Sequence, residues 1–361
     1  MSAYLTSIGS ALPPFRISQQ KLLSFMLNRL PLDKEKAHEL ELLYRASGIR
    51  HRYSVIKDFS DRNDPSLFHS DSPSVDIRLD IYQREALKLA QNAVLNAFHY
   101  SQISEKEITH LITVSCTGME APGIDIQLIE NLSLSTNIER TAINFMGCYG
   151  CFNAFKVAKH IVESEPTSKV LIVSVELCSL HLQDKTDPDS LLSNSLFGDG
   201  AGAAIIESNP SNCCLKLNTF YNDLVFEGKK DMTWKISEHG FLMTLSQKIP
   251  EIIKKNIASF TKALLQKNNL RLQDIDFLAM HPGGKSILRA VEESLNFSEK
   301  ANKAAHDTLQ SYGNMSSATI LFVLKKHLEQ AKSTDHRKKI LSLAFGPGLT
   351  IEGGLFTFNV Q

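Results

Sequence analysis

The chain has 361 residues, 43% hydrophobic and 22% charged, enough apolar content for a large core or two core-sized halves. Its 39 Lys and Arg balance 39 Asp and Glu, which removes any bulk electrostatic case for nucleic acid or an anionic membrane. There is no apolar run of membrane-spanning length and no signal-peptide pattern, and six irregularly spaced cysteines point to a reduced, cytoplasmic setting.

Residues 4–11 read as an opening strand, stopped by Pro13-Pro14. Residues 18–30 and 33–43 read as helices, with Ser18 and Asp33 as N-caps. Residues 47–53 form a basic turn near Arg45 and Arg50, and 54–75 an irregular polar loop. The spacing predicts a long helix over 76–99 with Leu87, Ala90, Val94, Leu95 and Phe98 on its buried face. A capping box at Ser104–Glu107 leads into a strand over 110–115, a glycine-bearing loop from Cys116-Thr117 to Gly123, and a helix over 124–132. Residues 141–145 read as a short buried strand, and 169–177 as a central strand covered on both faces. Residues 181–193 read as a polar loop, followed by a glycine-rich turn into a strand ending near Ile206. The second half repeats the rhythm: a strand over 215–220, a loop, and helices over 249–267. A strand over 277–280, helices over 286–295 and 317–332, and strands over 339–345 and 350–359 complete it. Strands alternating with helices argue for α/β layers, divided into an N-terminal half, 1–209, and a C-terminal half, 210–361.

Chemistry concentrates at three strand ends. Cys148 lies between the strand over 141–145 and a helix whose apolar positions are Phe152, Phe155, Ala158 and Val162. A thiol there faces the positive end of a helix, which favours thiolate. Taken alone it reads equally well as a small buried packing residue. His281 precedes Pro-Gly-Gly, and Asn314 follows Gly313 just before a helix. A histidine beside a cysteine holds it as thiolate, and an asparagine adds a neutral donor. Each singly is more often structural, a strand-end histidine or a helix cap. Cys148 and Cys151 also match the thiol-redox C-x-x-C pattern, which would leave His281 and Asn314 unexplained. Gly198-Asp199-Gly200-Ala201-Gly202-Ala203 matches a relaxed dinucleotide pattern but leads into a strand, so a phosphate would lack a helix N-terminus. Cys213-Cys214, a single vicinal pair, lacks structural-zinc spacing.

Met146-Gly147-Cys148-Tyr149, Ala279-Met280-His281-Pro282-Gly283-Gly284 and Tyr312-Gly313-Asn314-Met315-Ser316-Ser317-Ala318 resemble the three catalytic motifs of type III polyketide synthases, the chalcone synthase-like family. Phe345-Gly346-Pro347-Gly348 is similar to that family's C-terminal signature, and Val175 to His181 is most like bacterial members. The resemblance implies a duplicated, five-layered αβαβα thiolase-like fold, a homodimer, and coenzyme A thioesters as substrates without a further cofactor or metal. It implies that Cys148 takes the acyl group of an acyl-CoA starter. His281 pairs with the thiolate, and His281 with Asn314 stabilises the enolate left when malonyl-CoA loses carbon dioxide. Phe197 matches one gatekeeping phenylalanine, and Met243 stands at the second. Trp234 falls at a cavity glycine, His181 at a cavity threonine, Cys116-Thr117 at a Thr-Ser pair, Ala121 where plant enzymes send a methionine across the dimer, and Ser316 beside Asn314. The positions of basic coenzyme A contacts carry Glu39, Leu42 and Ala46, leaving Arg45, Arg50 or Lys285 as substitutes. The expected reaction is repeated decarboxylative condensation followed by cyclisation, with a medium- or long-chain fatty starter giving an alkylpyrone or alkylresorcinol. The alternatives are a single-round ketoacyl synthase of the fatty-acid type and a thiol-disulfide oxidoreductase.

Overall fold

The computed structural model describes residues 1–60, 65–68, 72–210 and 212–360, so part of the loop expected over 54–75 lies outside the described residues. β1 (Tyr4–Ala11) is followed by a two-stranded antiparallel sheet, β2 (Phe15–Ser18) with β3 (His51–Ser54), which brackets α1 (Gln19–Arg29) and α2 (Lys34–Ala46). Both helices start where expected: the Ser18 side chain accepts from the Lys21 N–H and Asp33 from the Lys36 N–H. The basic turn expected over 47–53 is cut short by β3, because its partner strand lies far back in the sequence and leaves no local signal.

α3 (Val75–His99) buries Ala86, Leu89, Ala90, Ala93, Val94 and Ala97, whereas Leu95 is 50% exposed and Leu87 and Phe98 are only partly buried. The buried face is rotated from the expected one because the helix seats small residues on β1. A Cβ on Gly9 would lie 2.1 Å from the Ala93 carbonyl oxygen. There follow β4 (His110–Ser115), α4 (Ile124–Asn131), β5 (Glu139–Asn144), α5 (Gly150–Ser164), β6 (Val170–Leu177), α6 (Pro188–Leu196) and β7 (Asp199–Glu207). Two expectations fail here. β5 is an exposed edge strand rather than a buried one. The second part of the expected polar loop is α6, capped by Asp187 accepting from the Ser190 N–H, with Pro188 at its first position.

The second half runs β8 (Cys213–Leu224), β9 (Met232–Ser237), β10 (Gly240–Leu245), α7 (Ile249–Gln266), β11 (Phe277–Met280), α8 (Lys285–Leu295), α9 (Lys303–Tyr312), α10 (Thr319–Glu329), β12 (Lys339–Gly346) and β13 (Thr350–Val360). The hairpin β9–β10 replaces an expected loop, and α9 was not foreseen. Both present mixed polar and apolar residues with no clean period.

The strand order explains the repeated rhythm. In the first half β1 pairs antiparallel with β7, β7 antiparallel with β6, β6 parallel with β4, and β4 parallel with β5. In the second, β8 pairs antiparallel with β13, β13 antiparallel with β12, and β12 parallel with β11. The two arrays share one topology and join through Tyr4–Lys216 and Leu5–Leu215. α5 and α10 each pack against both arrays, α3 covers the far side of the first, and α7 that of the second. The layers therefore run helix, sheet, helix, sheet, helix. On β6 every residue is buried. Val170 and Ile172 face the central helices, and Leu171, Val173 and Val175 face α3.

Candidate active site

The central helices bring three distant segments together. Cys148 sits two residues ahead of α5, on a turn where Phe145 has φ 59° and Gly147 φ 80°. Gly147 is also required by contact: a Cβ there would lie 2.3 Å from Cδ of Pro347. The loop between β12 and β13 thus packs directly on the turn that carries Cys148. His281 follows β11, its N–H donating to the Leu343 carbonyl at 2.7 Å. Asn314 is clamped by backbone bonds in both directions: its N–H donates to Leu196 O and its carbonyl accepts from Gly198 N–H, each at 2.9 Å. That clamp sets Asn314 beside Phe197.

Cys148 Sγ lies 4.0 Å from both Oδ1 and Nδ2 of Asn314. The Asn314 amide is oriented by two further bonds, Ser316 N–H to Oδ1 at 2.9 Å and Nδ2 to the Gly283 carbonyl at 3.4 Å. His281 is 1% exposed, and both ring nitrogens lack a partner among the described residues. Unpaired, buried ring nitrogens are costly unless a ligand supplies the partner. Burial pushes the His281 imidazole down to about 3 and the Cys148 thiol up to about 12, the thiol being eased downward by Ser316 and Asn314 and raised further by Glu176. Desolvation therefore works against the helix effect expected at Cys148.

Cys148, His281, Asn314, Phe197, Met243 and Met232 share a small chamber of about 310 Å³. Cys148, Phe197, Met232 and Met243 also border a larger chamber of about 870 Å³. Trp234, His181, Cys116, Thr117 and Ser316 line the larger one, so every expected substrate-side residue borders one or both chambers. The wall beyond Met243 is aromatic. Met243 pairs with Trp234 across the β9–β10 hairpin, and the Trp234 Nε1–H donates to the Cys116 carbonyl at 2.7 Å. His181 stacks on Phe241 with centroids 4.0 Å apart. Its Nε2 donates to the Thr117 carbonyl at 2.7 Å and its Nδ1 accepts from the Phe241 N–H at 3.2 Å. Burial holds this imidazole down to about 3, so it is a neutral wall element. Met232 and Phe241 are site residues that the sequence reading missed. They belong to the hairpin, whose pairing alone turns them inward.

Behind Cys148 lies a buried glutamate. Glu176, at the end of β6, accepts from the Cys116 N–H at 3.0 Å, the Thr117 hydroxyl at 2.8 Å and the Ser317 hydroxyl. It ties the loop after β4 to the segment that carries Asn314. Cys151, by contrast, is fully buried inside α5, and burial pushes its thiol up to about 12. It packs in the core as expected.

An entrance cavity of about 920 Å³ shares Leu245, Gly283 and Ile287 with the small chamber and opens past Ala46 and Lys285. Arg45 and Arg50 do not line it; the Arg45 side chain is 74% exposed and sits 3.9 Å from Glu41. Among the described residues no group of three or more His, Cys, Asp or Glu is placed to hold a metal, and no helix is long and apolar enough to cross a membrane.

Family models described as chalcone and stilbene synthases match the chain twice, the N-terminal domain over residues 1–210 and the C-terminal domain over 216–358. The chain is 32% identical to type III polyketide synthase C of Arabidopsis thaliana, covering 98% of this chain and 94% of that protein. It is 29% identical to the alpha-pyrone synthesis polyketide synthase-like Pks18 of Mycobacterium tuberculosis, covering 95% and 88%. Among solved structures, the C-terminal type III polyketide synthase domain of Steely1, a type I/III hybrid from Dictyostelium, superposes with TM-score 0.93 at 29% identity over 100% of both chains. PKS-I from the brown alga Ectocarpus siliculosus superposes with TM-score 0.91 at 30% identity, covering 99% and 98%.

Proposed function

The chain belongs to the chalcone and stilbene synthase family, with its duplicated thiolase-like fold, and is a type III polyketide synthase; from that premise we propose the following course of reaction. Cys148 gives its proton to His281 and attacks the thioester carbonyl of an acyl-CoA. The new carbon–sulfur bond forms as coenzyme A leaves, taking the proton back from His281. Malonyl-CoA then enters the small chamber. Its carboxylate leaves as carbon dioxide, and the electron pair passes to an enolate whose oxygen accepts from His281 and the Asn314 amide. The enolate carbon attacks the acyl–Cys148 thioester, lengthening the chain by two carbons and freeing the thiolate for the next round. No acidic residue is needed, because loss of carbon dioxide generates the carbanion.

One observation carries this reading. Three motifs spread over more than 160 residues of chain end on one buried chamber, the thiol at 4.0 Å from the Asn314 amide and the two His281 nitrogens without a partner among the described residues. Phe197, Met232 and Met243 separate loading from the larger chamber, where the chain grows and cyclises. We assign the halves to 1–209 and 210–361, supported by the repeated strand order. We also assign a homodimer, supported by β5: a parallel edge strand is seldom left bare, yet Glu139 to Ala142 are exposed. The enzyme is assigned to the cytoplasm, in keeping with its six free cysteines.

The starter is assigned as a fatty acyl-CoA, released as an alkylpyrone or alkylresorcinol. The larger chamber includes Ile17, Leu22, Phe59 and Leu182 in its lining, apolar surface that an alkyl chain could bury. Each methylene buried there contributes about 0.8 kcal/mol. Purified enzyme with malonyl-CoA and hexanoyl-, dodecanoyl- or p-coumaroyl-CoA, followed by mass analysis, should show the highest specificity constant for dodecanoyl-CoA. Cys148→Ala should yield no acyl-enzyme and no product. Preference for p-coumaroyl-CoA sinks the starter assignment, and product formation by Cys148→Ala sinks the mechanism.

A further inference from the structure

The thioester reading requires coenzyme A at the entrance, yet α2 offers Glu39, Leu42 and Ala46 on the stretch where basic contacts were expected. The charge lies on the opposite wall. The entrance cavity continues past Ala46 into an outer bowl of about 860 Å³, whose cations are Lys254 of α7 and Lys285 and Arg289 of α8. Its acids are already engaged, Glu293 by Lys254 at 2.8 Å and Glu251 by Lys255 at 3.5 Å. Lys285 and Arg289 make no salt bridge among the described residues, although the Arg289 charge also acts on Glu293. They are four residues apart on one helix and so share a face.

Lys285 is also held in place. Its stem crosses Gly48, at the end of α2, where an added Cβ would lie 3.1 Å from Lys285 Cδ; Gly48 has φ +74°. The absence of a side chain at position 48 lets the lysine lie across the entrance. α8 begins here with Gly284 as its N-cap and no side-chain cap, so its first N–H groups and its positive end open onto the same cavity.

We propose that Lys285 and Arg289, with the N-terminus of α8, bind the phosphates of coenzyme A, so that this enzyme reads the nucleotide from its α7–α8 wall rather than from α2. The inference rests on the thioester reading above. An ammonium fixed across the entrance supplies a point charge, and a guanidinium one turn outward supplies paired donors for phosphate oxygens. The thioester end is then directed inward past Gly283 and Ile287 to Cys148, since these residues line both the entrance and the small chamber.

Calorimetric titration with coenzyme A and with pantetheine, which lacks the phosphates and the nucleotide, tests this. Lys285→Ala and Arg289→Ala should each raise the Kd for coenzyme A about tenfold, and Arg289→Glu further. Pantetheine should bind all variants alike, and added salt should weaken coenzyme A in wild type more than in the variants. Arg45→Ala should bind coenzyme A as wild type does. If Lys285→Ala and Arg289→Ala bind coenzyme A as wild type does, or Arg45→Ala weakens it as much, the anchors are wrong and the thioester reading stands. A wild-type enzyme with no affinity for coenzyme A overturns both.

Discussion

Burial decides the resting state of the nucleophile. With the Cys148 thiol pushed up to about 12, little thiolate is present near neutral pH until substrate binds. Alkylation of Cys148 by iodoacetamide should therefore accelerate steadily from about pH 7 to about pH 10 without levelling. A plateau with a midpoint near neutrality would show a thiolate–imidazolium pair already formed in the empty site. Glu176 is a second residue governed by burial, which raises its carboxyl above the ordinary range. A raised folded-state value means that its contribution is fully present below the unfolded value and is lost as pH rises through the folded one. Glu176→Gln leaves at least one of three donors badly matched, costing about 1–3 kcal/mol. The deficit against wild type should be largest in mild acid and shrink as pH rises, as read by urea denaturation at several pH values. A deficit that grows with pH would mean that Glu176 is held as the carboxylate by its donors.

Among the elements, the turn before α5 and the loop before β13 form one contact. Gly147 combines a positive φ with the 2.3 Å approach of a built Cβ to Pro347, so neither backbone nor neighbour can give way cheaply. Gly147→Ala should destabilise the fold by about 1–3 kcal/mol and slow acylation, because Cys148 moves with the turn. Wild-type acylation rates in that variant would remove the turn from the mechanism. The β9–β10 hairpin is the other element that shapes the site, since it delivers Met232, Trp234, Phe241 and Met243 together. Trp234→Gly should lose the bond to the Cys116 carbonyl, enlarge the chamber and broaden the starters accepted; an unchanged product profile would place Trp234 outside the working wall.

On the scale of the whole molecule, the two arrays stack so that α5 and α10 are sandwiched between sheets, and the site lies where the halves meet. β5, an edge of the large sheet, is exposed along most of its length, and Met119 and Ile126 nearby are 41% and 42% exposed. The protein should run as a dimer by light scattering at micromolar concentration. Proline or lysine substitutions at Thr141 and Ala142 should yield monomer. A monodisperse, active wild-type monomer would contradict the assembly.

Local chemistry made much of this legible from the sequence. β6 announced itself as a continuous apolar run, α1 and α2 through Ser18 and Asp33, and the candidate site through the family resemblance of the motifs around Cys148, His281 and Asn314, which the fold brings to one chamber. These signals are short-range: a cap, a period, a glycine beside a reactive side chain. Tertiary structure alone decided the rest. The hairpin and β3 depend on partners that no local pattern names, and the buried face of α3 turned with the close fit of Ala93 over Gly9. Burial pushes the Cys148 thiol up against the pull of the helix terminus, because that terminus acts locally while desolvation depends on everything packed around the thiol. At the entrance the sequence named Lys285 but not Arg289, because only the packing of α7, α8 and the end of α2 places both cations at one opening.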